Sequence, residues 1–311
     1  EQITIGISIF LFFKYSIILL ITAFVLNACV DPDTTNLDIA GMFSGSSPRI
    51  KQRFAHSQEY NNQHGFATIQ APVDNYNVYV HTDTHVRKTT RNIETFLKHF
   101  RNDTIAPLAV HLGDVIDAQT NWERMMHAYQ DYPKNPNKYD TMMVAVGNHD
   151  IYFDQWEIYR SYFGTASYYF IVQTPSNYRD IYFVIDSSEG TLGLDQMQWF
   201  KELLMWSDKQ DFRHKIVCTH THLFKRDNSQ TPSTNYSLEE TYELLDLFSK
   251  HHIDMYWCGH DHSREISIFK NVECITVGAM LDYKSPAFYM IANMGDEIDY
   301  RFIQVDKYSN P

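Results

Sequence analysis

Cysteine is scarce in this chain: four among 311 residues, with no Cys-x-x-Cys pair. A zinc site of the Cys-x-x-Cys pattern needs that spacing, so none is expected. Cys218, Cys258 and Cys274 lie in or beside apolar runs and read as small core residues. Spacing alone leaves a disulfide between two of them open. Basic charge is short as well, with 26 Lys and Arg against 38 Asp and Glu, a formal net charge of -12. Non-specific nucleic-acid binding needs a basic face, so no nucleic-acid partner is expected. An anionic substrate stays open, because bound cations would dominate the local field. Internal repeats and low-complexity tracts are absent. A hydrophobic content of 44% with 21% charged residues fits a globular chain with an ample core. The length allows one large or two small domains.

Residues 3–28 are almost wholly apolar and are broken by Lys14. Ile17 to Leu26 forms an h-region flanked by that positive charge. It ends Leu26-Asn-Ala-Cys29, which resembles a bacterial lipobox, and Val30-Asp-Pro-Asp-Thr-Thr-Asn36 follows as a polar tether. The reading is a lipoprotein-type signal peptide over 1–28, lipidation of Cys29 and attachment to a bacterial cell envelope. An uncleaved membrane helix, or an ordinary secretory signal with Cys29 incidental, are the alternatives. Residues 1–13 are expected to be upstream translation, with the real start near Lys14. Residues 29–55 read as a linker and 56–311 as the folded domain, opening with a short helix over Ser57–Phe66 and an edge strand over Thr68–Pro72.

From Tyr76 apolar runs and amphipathic stretches alternate. Strands are predicted at 77–82, 108–112, 142–146, 215–219 and 254–258, with helices near 91–101, 122–131, 155–163, 194–209 and 238–251 between or after them. Residues 168–173 and 180–186 read as an antiparallel pair, and 264–304 as strand-rich. This order gives an α/β chain with two packed mixed sheets flanked by helices, four layers in all.

The chemistry lies where those strands end. His81-Thr-Asp83-Thr-His85, Gly113-Asp114, Gly147-Asn-His-Asp150, Thr219-His220 and Gly259-His-Asp-His262 each follow an apolar run. Open α/β sheets place their sites beyond the carboxyl ends of strands. Asp83, His85, Asp114, Asn148, His220, His260 and His262 supply three oxygen and four nitrogen donors. Seven exceed the four of a tetrahedral zinc and suit two ions sharing a carboxylate. Without thiolate, such mixed ligation fits Fe, Mn or Zn better than Mg or Ca. His220 is preferred to His222 because it comes first off its strand. His81 and His111, inside strands, read as packed side chains, and His251-His252 as a solvated or capping pair. Asp150 and Asp261 read as orienting neighbours, Asp186 as structural, and Asn121, Trp122, Arg124 and Tyr283 as scaffold.

In this order, Asp83-x-His85, Gly113-Asp114, Gly147-Asn-His-Asp150, His220 and Gly259-His-x-His262 resemble the five motifs of the calcineurin-like metallophosphoesterase family over about residues 76–280. Tyr162-Phe-Gly164, Tyr168-Tyr-Phe170, Ile185-Asp-Ser187 and Gln198-Trp-Phe200 are similar to its secreted and periplasmic, cyclic-nucleotide phosphodiesterase-like branch. The resemblance implies a two-metal phosphoesterase. Asp83, His85 and His262 would hold one ion, Asn148, His220 and His260 the other, with Asp114 between them and a hydroxide shared by the ions attacking phosphorus. It implies His149 as leaving-group acid and Asp117 as the carboxylate that orients it. Asp117-Ala-Gln119 lacks the Arg-Gly of the protein phosphatases, and Asp117 stands where purple acid phosphatases carry a metal-binding Tyr, so neither subclass is expected. A phosphate-ester small molecule or nucleotide is the expected substrate. A pyrophosphohydrolase acting on a lipid-linked or nucleotide diphosphate and a non-catalytic metal-containing envelope protein are the competing readings.

Overall fold

A computed structural model describes residues 48–117, 121–131, 133–134, 140–224 and 235–305. The N-terminal apolar segment and Cys29 lie outside the described residues. Among the described residues no helix is long and apolar enough to cross a membrane.

Helix α1 (Pro48–His64) leads to the short strand β1 (Thr68–Gln70). Then come β2 (Tyr76–His81), α2 (Arg91–Asn102), β3 (Leu108–His111), α3 (Trp122–Asp131), β4 (Thr141–Val144) and α4 (Trp156–Phe163). The hairpin β5 (Tyr168–Gln173) and β6 (Arg179–Val184) precedes α5 (Gly193–Ser207), β7 (His214–Cys218), α6 (Leu238–Lys250) and β8 (Met255–Cys258). The chain closes with β9 (Arg264–Phe269), β10 (Val272–Val277), β11 (Phe288–Met294) and β12 (Ile298–Gln304).

Two sheets result. One runs β1-β5-β6-β7-β8-β10-β9 and the other β12-β11-β2-β3-β4. In the first, β6, β7, β8 and β10 are parallel; in the second, β2, β3 and β4 are. Strands buried on both faces lose the apolar–polar alternation of half-buried ones, which is why Tyr76–His81 and His214–Cys218 are buried throughout. Val78, Val80, Leu108 and Val110 face Phe170, Tyr182, Ile216 and Trp257 across the gap between the sheets. Tyr79 and Ala109, on the opposite pleat, pack under Ile93, Phe96, Leu97 and Phe100 of α2. Phe183, Val217 and Tyr256 pack under Phe200 and Leu204 of α5 and Leu244, Leu245 and Phe248 of α6. These three apolar layers make the four-layer helix–sheet–sheet–helix arrangement.

The structure refines the sequence reading at four places. Residues 48–55, read as linker, already belong to α1, which begins at Pro48 rather than Ser57. Its inward face includes Arg53, buried and joined by Nε to Asp186 Oδ2 at 2.7 Å, so a charge stands where an apolar residue would have revealed the stripe. The strand predicted over 142–146 leaves its ladder at Val144, although the Ala145 amide still donates to the His111 carbonyl at 2.8 Å. The four closing strands divide, β9 and β10 joining one sheet and β11 and β12 the other. His251 caps α6 but is buried, its Nδ1 2.6 Å from Asp208 Oδ2, and is not solvated.

Candidate metal centre

Parallel strands put their carboxyl ends on one edge of each sheet, and both edges feed the same place. Asp83 and His85 follow β2, Asp114 follows β3, and Asn148 and His149 follow β4. His220 follows β7, while His260 and His262 follow β8. Five of these residues lie in the left-handed backbone region: Asp83 (φ 49°), His85 (40°), Asp114 (55°), His260 (71°) and His262 (57°). Asp and His tolerate that region better than most residues, and its concentration here marks sharply turned loops.

The predicted side chains converge. One donor atom each from Asp83, His85, Asp114 and His262 lies within 4.8 Å of the others, and the same holds for Asp114, His220 and His260. Asp114 belongs to both groups. Its Oδ2 is 3.3 Å from His85 Nε2 and 3.4 Å from His220 Nε2. Asp83 Oδ1 is 3.4 Å from His262 Nε2. Asn148 Oδ1 reaches His220 Nε2 at 3.0 Å, and His260 Nδ1 stands 3.1 Å from the same nitrogen. His222 lies beside the cluster, its ring centroid 5.6 Å from that of His260, without entering either group.

The neighbours fix which atoms face inward. His220 Nδ1 donates to the Leu112 carbonyl at 2.9 Å, so Nε2 is the nitrogen turned into the cluster. Asn148 Nδ2 donates to the Tyr152 hydroxyl at 2.7 Å, which turns Oδ1 toward His220. Asp83 Oδ2 accepts from Thr82 Oγ1 at 2.8 Å and from the His260 amide at 2.9 Å. Asp150 is fully buried and accepts four backbone N–H groups, from Asp114, Val115, Ile116 and Gly147, at 2.8–3.3 Å. It thereby locks the loop after β3 to the loop after β4.

The donor set fits cations on two counts. Asp83 Oδ1 and His260 Nε2 are buried with no hydrogen-bond partner, although buried polar atoms normally have one. His85 Nε2 and His262 Nε2 face one another across 3.1 Å, so both rings turn a nitrogen into the same space as Asp83 Oδ1 and Asp114 Oδ2. The electrostatics agree. Burial lowers the basicity of His85, but Asp114, Asp117 and Asp83 outweigh it and raise its imidazole to about 10. Burial is likewise outweighed at His220, raised to about 9, chiefly by Asp114. The potential that would hold those protons would equally hold metal ions. His260, where burial and the His220 charge prevail, is lowered to about 3.

His149 and Asp117 sit at the rim. The His149 amide donates to Asp114 Oδ1 at 2.8 Å, and its ring is 30% exposed. Burial and the positive His85 hold its pKa below the ordinary histidine value against the pull of Asp114. Asp117 Oδ1 is 3.7 Å from His149 Nδ1 and 3.6 Å from His85 Nδ1, beyond hydrogen-bond reach of both. Its short bond, 2.6 Å from Oδ2, is to Arg87 Nε. The motif reading missed Arg87, Tyr152 and the extent of Asp150's ties. His81 and His111 are packed as expected, His81 Nε2 against the Tyr129 hydroxyl and His111 Nδ1 accepting from the Gly113 amide.

A family model for calcineurin-like phosphoesterases matches residues 76–264. The chain belongs to that family. This metallophosphoesterase is accordingly a phosphoric ester hydrolase. Comparison with curated protein sequences finds no match. Solved structures it resembles include a dimetal phosphatase from Danio rerio, at 11% identity and a TM-score of 0.53 over 74% of this chain and 96% of that one. GAP50, the anchor in the inner membrane complex of Plasmodium, gives 14% identity and a TM-score of 0.57 over 75% and 85%. A purple acid phosphatase from yellow lupin gives 12% and 0.56 over 75% and 52%. At these identities the likeness is one of fold, and the metallophosphoesterase shares the two-sheet framework with all three.

Proposed function

We propose that this protein is a two-metal-dependent phosphoesterase that hydrolyses P–O bonds of a small phosphate ester or nucleotide. The observation that carries the reading is Asp114, whose carboxylate stands in both donor groups at once. Asp83, His85 and His262 would hold one ion, Asn148, His220 and His260 the other, and Asp114 would serve both. Mn, Fe or Zn suit these nitrogen and oxygen donors. When bound, such a pair supplies Lewis acidity toward phosphoryl oxygens and lowers the pKa of water toward neutrality.

The chain's own contribution is arrangement. The Leu112 carbonyl and the Tyr152 hydroxyl set the faces that His220 and Asn148 present. Asp150 holds together the two loops that carry Asp114 and His149. Ligands so fixed need little reorganisation when substrate arrives. His149 is more exposed than the buried His85 and His220, which leaves its ring open to a departing oxygen. Its lowered pKa makes the protonated ring a stronger acid toward that oxygen.

The test is turnover of p-nitrophenyl phosphate and bis-p-nitrophenyl phosphate with added Mn, beside metal analysis. H149A is expected to keep its metal yet lose roughly 10²–10⁴-fold in kcat, the scale of general acid catalysis. Two bound ions with no turnover under any metal would overturn the enzymatic reading in favour of binding alone. A separate proposal, resting on residues outside those described, is anchorage to a bacterial envelope through a lipid on Cys29. A mature N-terminal peptide spanning unmodified Cys29 in mass spectra would refute it.

A further inference from the structure

Arg87, two residues after His85, brings a cation to the rim of the donor cluster. Its Nε donates to Asp117 Oδ2 at 2.6 Å. Its guanidinium lies over the Tyr283 ring, 4.0 Å from the centroid, and Arg124 donates to its backbone carbonyl. Held from these sides, the side chain is still 50% exposed, and its two terminal nitrogens have no hydrogen-bond partner among the described residues. A guanidinium with Nε committed and its outer edge open is a fork set for an oxyanion.

His85, Asp117 and His149 also offer three donor atoms within 4.8 Å, a group that on geometry alone would suit a further cation. Arg87 already supplies positive charge to Asp117, and a metal ion there would meet like charge at close range. The rim therefore favours an anion. Its position says which one. Asp117 stands between the guanidinium and the rings of His85 and His149, with Oδ2 toward Arg87 and Oδ1 toward the imidazoles. Arg87 and His149 thus stand on opposite oxygens of one carboxylate, at 2.6 Å and 3.7 Å, so an anion taken by the guanidinium neighbours a group held at His149.

We propose that Arg87 forms an anion subsite for the leaving fragment, so that the site takes substrates in which the scissile phosphoryl group is joined to a second phosphoryl group, as in a diphosphate. This rests on the phosphoesterase reading above and specifies its substrate class.

Calorimetry of the Mn-loaded protein with α,β-methylene-ADP and with AMP tests it. The R87A variant is expected to weaken the diphosphate analogue about tenfold or more, the scale of lost charge-assisted hydrogen bonds, and AMP by less than about threefold. R87K, which keeps the charge without the fork, should fall between. Equal weakening of both ligands, no weakening of either, or no binding of the diphosphate analogue to the parent protein overturns the subsite. Hydrolysis of p-nitrophenyl phosphate by the parent protein is scored separately. Turnover with Arg87-independent diphosphate binding sinks the subsite alone; Arg87-dependent binding with no turnover of p-nitrophenyl phosphate or of ADP sinks the phosphoesterase reading and reduces Arg87 to a diphosphate-binding contact.

Discussion

The Asp150→Asn substitution probes the frame of the centre without removing a proposed ligand. Asp150 Oδ2 accepts the amides of Asp114 at 3.0 Å and Gly147 at 2.9 Å, while Oδ1 accepts those of Val115 at 2.8 Å and Ile116 at 3.3 Å. An asparagine of the same shape offers one oxygen. Whichever way it turns, one pair of backbone donors faces an NH₂ group. Two buried donors lose their acceptor, at about 1–3 kcal/mol each. Some of this is returned, because burial and the neighbouring Asp114 charge push the Asp150 carboxyl up to about 7, and the amide removes that repulsion. A net loss of about 3 kcal/mol is expected, equivalent to roughly 6–12 °C in Tm for a domain of this size. The assay is urea and thermal unfolding of EDTA-treated protein at pH 8, where the carboxyl is ionised, so that metal affinity does not enter. A loss below about 0.5 kcal/mol would refute the idea that these four amides depend on the carboxylate.

Asp186→Ala leaves the Arg53 guanidinium buried with Glu189 Oε1 3.5 Å away as its remaining acidic partner, and should cost about 3–5 kcal/mol in urea unfolding. A paired R53M/D186L change should recover much of that loss. Asp208 is opposed by burial, yet bonds from Lys215 Nζ at 2.7 Å and His251 Nδ1 at 2.6 Å prevail and hold its carboxyl below the ordinary range. A lowered folded pKa contributes stability above about pH 4 that is lost as pH falls further, so D208N should flatten the decline of Tm below about pH 4. Gly259→Ala would put a Cβ 2.0 Å from Thr82 Oγ1 and 2.5 Å from Asp83 Oδ2; circular dichroism should be unchanged while metal analysis shows fewer ions than in the parent, and an unchanged metal content would refute the crowding argument.

The strand ends were legible because each leaves two traces in order: an apolar run that must be buried, then a cluster of polar donors that such a run does not itself carry. Parallel strands buried on both faces made the runs continuous, as at Met255–Cys258. What escaped had partners far away in the chain. Arg53 meets Asp186 across 133 residues, and the buried charge broke the apolar stripe that would have placed the start of α1 at Pro48. Arg87 meets Asp117 across 30 residues, and an Arg beside Lys88 in a polar loop has the look of solvated charge. Asp117, expected to orient His149, also makes a short bond to Arg87 that went unforeseen, because motif spacing places a residue on a loop and does not choose among the cations that loop meets.

Gly113 keeps the usual glycine role at the centre, with φ 91°, but two other glycines do not. Gly147 and Gly259 stand next to ligand residues without a left-handed backbone; what they supply is space, since a Cβ at Gly147 would lie 2.2 Å from Asp114 Oδ1 and one at Gly259 2.5 Å from Asp83 Oδ2. Left-handed conformations fall also on Asp83, His85, Asp114, His260 and His262. Each such residue costs of order 1–3 kcal/mol, so five approach the net stability of a whole domain. Loops that dear persist only if other contacts over-determine them. The contacts are present: Asp150 gathers four amides, Thr84 Oγ1 donates to the Val115 carbonyl at 2.7 Å, and the His85 amide donates to the Asp114 carbonyl at 3.1 Å. The scaffold around the donors is thus built to hold them in place before any ion arrives, and the free energy of cation binding need not be spent on folding the loops. That separates this centre from small metal-folded domains, whose ligands gather only when the metal does.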